Sequence, residues 1–272
     1  MPSKVTVPVG QKLTHALVEL FRAKIVSGEL RPGDTLLPEA ELLEVLQVSR
    51  PTLRQVLRVL ESESLIQLGR GTRTGATVLH PSVETAAQYG ALYLATRGAT
   101  LGEIHEVRAL LEPPLAALIA RRKDPTAVDY LRECVTIQQQ ALQRGDYVSA
   151  ASGVNEFHGR LAGLSQNNAL RLFAGMLHAI AVNVYPQIPL ASNNAKKRND
   201  IWRRGEKSAE AHAHLVDLIA AGKPDAAQKF WDTYMQDTGD FMRKSGLATL
   251  RVVAAQASVD QHPRLSVSKR PA

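Results

Sequence analysis

The N-terminal residues with the clearest chemistry form a row of guanidiniums. Arg50, Arg54 and Arg58 recur every four residues, so a helix would carry them on one face, and no acid lies among them. Thr52 and Gln55 add hydrogen-bonding groups near the start of the same segment, SRPTLRQVLRVL (49–60), while Leu53, Val56, Leu57 and Leu60 fall on the opposite side. The major groove of DNA admits a helix of this kind, and Arg pairs bidentately there with guanine or with phosphate. A second cluster, Gly69-Arg70-Gly71-Thr72-Arg73, reads as a cationic hairpin tip suited to the backbone or the minor groove. Taken singly, these features also suit a solvated helix and an ordinary hairpin. Their order and spacing together point to double-stranded DNA. There is no HExxH, no nucleophile elbow and no phosphate loop.

The elements that must position these groups follow from periodicity. Apolar residues at helical spacing predict a first helix from Lys12 to about Ser27, ending near Gly28. LRPGDTLL (30–37) is a Pro-Gly turn leading into a short β-favouring run. A second helix covers Glu39–Val45, and Gln47-Val48-Ser49 is a tight connection. Ser49 is a good N-cap, Pro51 is tolerated in the first turn, and the third helix runs from Arg50 to about Ser62. LIQLGRGTRTGATVL (65–79) changes period to two short strands around a turn. Helix, strand, helix, turn, helix and hairpin make a winged helix-turn-helix over 1–80.

After a boundary near His80-Pro81-Ser82, only helical patterns follow: 83–96, 100–121, 124–144, 146–165, 167–188, 203–221 and 223–246, with 189–202 reading as a loop. Residues 83–248 are therefore expected to form an all-α antiparallel bundle, and 249–272 a disordered tail. The expected fold class is mainly α, with one small β-hairpin wing.

Bulk properties agree with two domains. The chain has 272 residues, 44% hydrophobic, 22% charged and only 5% aromatic, so its core is built from Leu, Ala, Val and Ile. Its one cysteine, Cys134, can form no internal disulfide. No signal-peptide pattern opens the sequence and no apolar run is long enough to span a bilayer, so a cytoplasmic protein without membrane contact is expected. The net charge of +7 is shared as +2 in 1–80, +2 in 81–250 and +3 in 251–272, so net charge alone says little about DNA.

The segment 28–78 resembles the DNA-binding domain of the GntR family of bacterial transcriptional regulators. The matching residues are Gly28-x-Leu30-x-Pro32-Gly33, the Val48-Ser49-Arg50 turn, Leu53-Arg54-x-x-Leu57-x-x-Leu60 and Gly69-Arg70-Gly71. The resemblance implies operator contacts from Arg50, Thr52 and Arg54, and a wing tip formed by Gly69, Arg70 and Gly71. Pro38-Glu39-Ala40 replaces the Ser-Glu-Arg frequent in the family, removing one arginine contact, and Glu63-Ser64-Leu65 replaces Glu-Gly-Leu.

Residues 83–245 resemble the helical effector-binding (FCD) domain of the FadR subfamily. The resemblance rests on Leu101-x-x-Ile104-x-x-Val107-Arg108-x-x-Leu111-Glu112, on Phe157-His158-x-x-Leu161 with Asn167-Asn168, and on His212-x-His214-Leu215-x-x-Leu218-Ile219-x-x-Gly222. It implies a homodimer that binds a palindromic operator, under control of a small effector of the carboxylate or acyl-CoA class. Many members hold a divalent metal, zinc or nickel, with one Asp and three His. Here His158 and His212 match, Val154 stands where the Asp is expected with Asn155 beside it, and Tyr234 takes the place of the third His. The incomplete set favours an effector held by hydrogen bonds and charge, with Arg108, Asn155, His158, His212 and Tyr234 as candidates. Arg108 suits a ligand carboxylate or phosphate, or equally a salt bridge to Glu112 four residues on. His158 and His212 suit either ligand binding or hydrogen-bonded core positions. The basic run Lys196-Lys197-Arg198 with Arg203-Arg204 reads most simply as a solvated loop. The competing reading is a metal-dependent enzyme using His158 and His212.

Overall fold

Apolar residues at helical spacing, broken by Gly, Pro and Asn, give ten α-helices and one two-stranded sheet in a computed structural model that describes residues 9–69, 75–185 and 195–254. The chain divides into two units, Met1–Ala86 and Ala87–Ala272. The division falls inside a helix, a few residues beyond the expected 80–82.

In the first unit, α1 (Val9–Val26), α2 (Glu39–Leu46) and α3 (Arg50–Ser62) precede the antiparallel hairpin of β1 (Ile66–Gln67) and β2 (Thr77–Val78), which pair Ile66 with Val78 and Gln67 with Thr77. Gln47 ends α2 in the left-handed conformation (φ 51°), and Ser49 starts α3 by accepting the Thr52 amide at 3.4 Å. The apolar face of α3 explains its placement: Leu53, Val56 and Leu60 are fully buried against Val18, Phe21 and Ile66 of the same core. Arg22 of α1 holds the carboxylate of Glu63 just past the end of α3 (Nε to Oε2, 2.8 Å).

The β-favouring run after Pro32-Gly33 reaches the hairpin. The Leu36 amide donates to the Ala76 carbonyl at 2.8 Å, the Val78 amide to Asp34, and Thr35 bridges Thr77. Gly75 makes this contact fit, because a Cβ there would lie 1.9 Å from the Leu36 carbonyl oxygen.

The second unit is a bundle of α4 (Val83–Thr96), α5 (Leu101–Arg122), α6 (Pro125–Gln143), α7 (Tyr147–Gly163), α8 (Asn168–Val184), α9 (Ala195–Ala220) and α10 (Pro224–Ser245). Helix α5 packs chiefly on α10 and α8, and α6 packs on α7 and α9. Most of these helices start on a side-chain cap: Thr100 and Glu103 form a capping box, and Asp124, Asp146 and Asn167 cap α6, α7 and α8. Leu115, Leu131, Phe157, Leu161, Leu215 and Trp231 fill the core at full burial.

Two sequence expectations need correction. Residues 195–202, read as a loop, belong to α9; the stretch is too polar for apolar periodicity to show, and (i, i+4) contacts such as Trp202 Nε1 to Glu206 Oε1 (3.0 Å) support it instead. The tail is not free from 249 onward. The Leu101 amide donates to Leu250 (2.7 Å), Val252 donates to Ala99 (2.9 Å), and the Val252 side chain is buried. Residues 255–272, the remainder of the expected disordered tail, lie outside the described residues.

Gly75→Ala should therefore destabilise the first unit by about 1–3 kcal/mol, because backbone rather than a flexible side chain must yield. Urea unfolding of this variant, compared with Gly163→Ala, where an added Cβ meets nothing within 4 Å, reads the effect.

Candidate functional site

On α3, Arg50, Arg54 and Arg58 are all exposed, and Arg50 and Arg58 make no ion pair among the described residues. The row is less free of acid than the sequence implies, because α2 brings Glu39 to 3.4 Å from Arg54 Nε. Thr52 is half-buried, and its hydroxyl lies 2.9 Å from the Ser49 hydroxyl that caps the helix. Gly69 is exposed and borders a groove shared with Arg54 and Arg58. Arg70 and Gly71 lie outside the described residues.

In the second unit, one buried carboxylate organises the polar interior. Glu112 of α5 accepts from Arg108 Nε (2.8 Å), from His158 Nδ1 on α7 (2.7 Å) and from Trp231 Nε1 on α10 (3.1 Å). Burial pushes its pKa up, but the Arg108 charge and the His158 and Trp231 hydrogen bonds outweigh that and hold it well below the usual carboxylate range. Arg108 is buried too; burial opposes its charge, and Glu112 more than offsets this. Arg108 Nη1 donates to the Tyr185 hydroxyl at 3.3 Å, while Nη2 is buried 2.8 Å from Glu112 Oε1 in the same ion pair, without hydrogen-bond geometry. The salt-bridge reading of Arg108 thus has direct geometric support, and the ligand reading rests on its place beside a cavity.

Arg108 borders a cavity of about 180 Å³, which is also lined by Asn155, His158 and Tyr234, together with His105, Val154 and Arg204. His212 is not on the cavity wall. It is fully buried one layer behind, stacked on Phe157 (centroids 4.0 Å apart), with Nδ1 2.9 Å from Gln138 Oε1 and Nε2 3.5 Å from the Tyr234 hydroxyl. Tyr234 donates to Ser208 Oγ (3.1 Å), which donates to the Arg204 carbonyl (2.9 Å).

Burial lowers the pKa of His158 against the pull of Glu112, and lowers His212 further with the help of His158. Burial raises Tyr234 despite Arg204. The interior therefore holds neutral imidazoles and a protonated phenol. Glu112 is acceptor-only, so His158 carries its proton on Nδ1, leaving the Nε2 lone pair. A histidine held this way by a carboxylate would suit a metal ligand, but its neighbours would not: Val154 has no donor atom, and the phenol of Tyr234 keeps its proton. No group of three His, Cys, Asp or Glu side chains placed to hold an ion occurs among the described residues. The residues present do not fit the one-Asp, three-His centre, and the enzyme reading built on it has no support.

Sequence reasoning missed Glu112 as a hub, Gln138 and Trp231 as partners, and Arg204 as a wall residue. Arg204, Ser208 and His212 recur every four residues, a signal hidden by reading the basic run as a loop.

His105 donates Nε2–H to the Met235 carbonyl at 2.8 Å, and burial, with Arg108, lowers its pKa to about 4. An unfolded histidine binds a proton below its ordinary 6.5, so this contribution is complete above pH 6.5 and is lost as pH falls toward 4. The urea midpoint of the bundle should drop across that window, by on the order of 3 kcal/mol for His105 alone. His105→Gln should flatten the slope.

Comparisons with known proteins agree on both units. Residues 13–75 match the family described as "Bacterial regulatory proteins, gntR family", and residues 103–237 match "FCD domain". The chain is 25% identical over 231 residues to the HTH-type transcriptional repressor NanR of Citrobacter rodentium, covering 83% of each chain. It is 29% identical over 215 residues to the HTH-type transcriptional regulator YcbG of Bacillus subtilis, covering 78% of this chain and 82% of that one. The solved structure of Streptococcus agalactiae GntR shares the fold at a TM-score of 0.57, with 23% identity, covering 85% of this chain and all of that one. Among the described residues no helix is long and apolar enough to cross a membrane. An arginine-faced recognition helix joined to an effector-type bundle, matched by family in both parts, places this chain in the GntR family of DNA-binding transcriptional regulators, with an FCD effector-binding domain.

Proposed function

We propose that the protein is a homodimeric, effector-controlled repressor whose α3 helices read the two halves of a near-palindromic operator. The observation that carries the reading is the exposed row of Arg50, Arg54 and Arg58 on a helix anchored by Leu53, Val56 and Leu60. Arg50 and Arg54 supply base or phosphate contacts, and Thr52, half-buried, contributes from the first turn of the same helix. Gly69, Arg70 and Gly71 act as the wing beside it. Repression follows the name carried by the NanR relative. Self-association is supported by the apolar side chains that α4 leaves exposed, Tyr89, Leu92 and Tyr93, and a C2 pair matches a two-fold operator.

The effector site is the bundle cavity, where Arg108, Asn155, His158 and Tyr234 meet the ligand, with His212 setting the Tyr234 hydroxyl from behind. Arg108 meets the ligand as one half of its ion pair with Glu112, and so offers hydrogen bonds rather than net charge. A cavity near 150 Å³ accommodates a benzene-sized molecule, so about 180 Å³ favours a small carboxylate over an acyl-CoA. The cytoplasm is the compartment where such a protein meets DNA.

Arg50→Ala and Arg54→Ala should each weaken operator binding by about 1–3 kcal/mol and reduce its salt dependence, with circular dichroism unchanged. Fluorescence anisotropy with operator DNA at two salt concentrations measures both. Unaltered affinity in the double variant would remove α3 from the DNA. The bound effector should shift operator affinity about 5–150-fold in the same assay.

A further inference from the structure

The charges around the cavity do not cancel, and the residue responsible is Arg204. Arg108 is answered by Glu112 at 2.8 Å, and the cavity-lining imidazoles of His105 and His158 are held neutral by burial. Arg204, from α9, makes no ion pair among the described residues. Its guanidinium donates to the Thr238 hydroxyl and lies over the rings of Tyr234 (5.1 Å) and Phe241 (5.7 Å). The same side chain also borders a second, more open cavity of about 450 Å³ between α9 and α10, whose lining includes Lys207, Glu210, His214 and Asp237; neither acid forms an ion pair with Arg204 among the described residues. Arg204 and Tyr234 line both spaces, so the guanidinium stands on the partition between an outer groove and the inner cavity. The rest of the inner wall is largely apolar, with Leu101, Met235, Phe241, Met242 and Leu247.

We propose that Arg204 is the specificity-determining residue of the effector site: among the described residues lining the inner cavity it is the positive charge without an ion-pair partner, so the cavity selects a small ligand with one carboxylate on an apolar body. This rests on the reading of the cavity as the effector site. A neutral isostere leaves the guanidinium without its counter-charge in a partly dry site, and a second carboxylate would be set against the apolar wall with no cation to meet it. Thr238, Tyr234 and Phe241 hold the guanidinium in position until the ligand carboxylate replaces the hydroxyl as its partner.

The test uses the full-length protein and three probes of similar size: benzoate, benzamide and glutarate. Isothermal titration should show benzoate binding at least 10-fold more tightly than either of the others. Arg204→Gln should lose at least 10-fold for benzoate, while Arg204→Lys, which keeps the charge, should retain most of the affinity and also controls for folding. Ala151→Phe, which fills the cavity, should abolish benzoate binding. Equal binding of benzamide, undiminished binding by Arg204→Gln, or tighter binding of glutarate would each overturn the role of Arg204 while leaving the cavity as a ligand site. Benzoate binding that survives Ala151→Phe, or no binding of any probe to the unaltered protein, would overturn the effector-site reading itself.

Discussion

A carboxylate taken out of water costs several kcal/mol unless its lone pairs are filled, and Glu112 is filled from three helices at once. Arg108 comes from its own helix, His158 from α7 and Trp231 from α10, so one group fixes the mutual register of three elements. The same bonds decide the chemistry at the cavity. They set the tautomer of His158, keep Arg108 charged, and hold the arginine on the wall of the cavity. Without Glu112 the bundle would hold a buried guanidinium with no counter-charge. Pro113 and Pro114 follow Glu112 directly inside α5, so two backbone donors are missing at this turn and side-chain bonds take a larger share of holding it.

The two histidines show how a fold can keep part of a site while its chemistry changes. His158 and His212 each present Nδ1 to a fixed acceptor, Glu112 in one case and Gln138 in the other, and the Gln138 amide nitrogen points toward the Gly205 carbonyl. That is the orientation a metal site needs, yet Val154 and Tyr234 occupy the remaining corners. The polar work at the cavity passes to guanidiniums, a neutral phenol and Asn155.

Much of the architecture was legible in the sequence because local signals agreed with the global fold. Ser49, Pro51 and the Leu53–Leu60 stripe set both ends and the inner face of α3, and the period change after Leu65 marked the hairpin. Helices with a clear apolar stripe, such as α8 and α10, were readable for the same reason. The start of α9 was not, since residues 195–202 carry mostly polar side chains and periodicity has little to detect. The site was legible residue by residue but not as a geometry. Trp231 reaches Glu112 across 119 positions, and Glu39 reaches Arg54 from the preceding helix, contacts that only folding brings about. The sequence could place Arg108 opposite Glu112 by their spacing, but it could not show that the pair stands beside a cavity and is shared with His158 and Trp231.

The base of the wing has a further implication. The second strand is moored to the run after Pro32-Gly33 by the Leu36 amide on the Ala76 carbonyl, the Val78 amide on Asp34, and the close approach of Gly75 to Leu36. Position 75 therefore answers to the backbone of a distant segment rather than to its own neighbours. In a lineage of such proteins, a side chain could enter there only in company with a shift of that segment, which ties the history of the two stretches together.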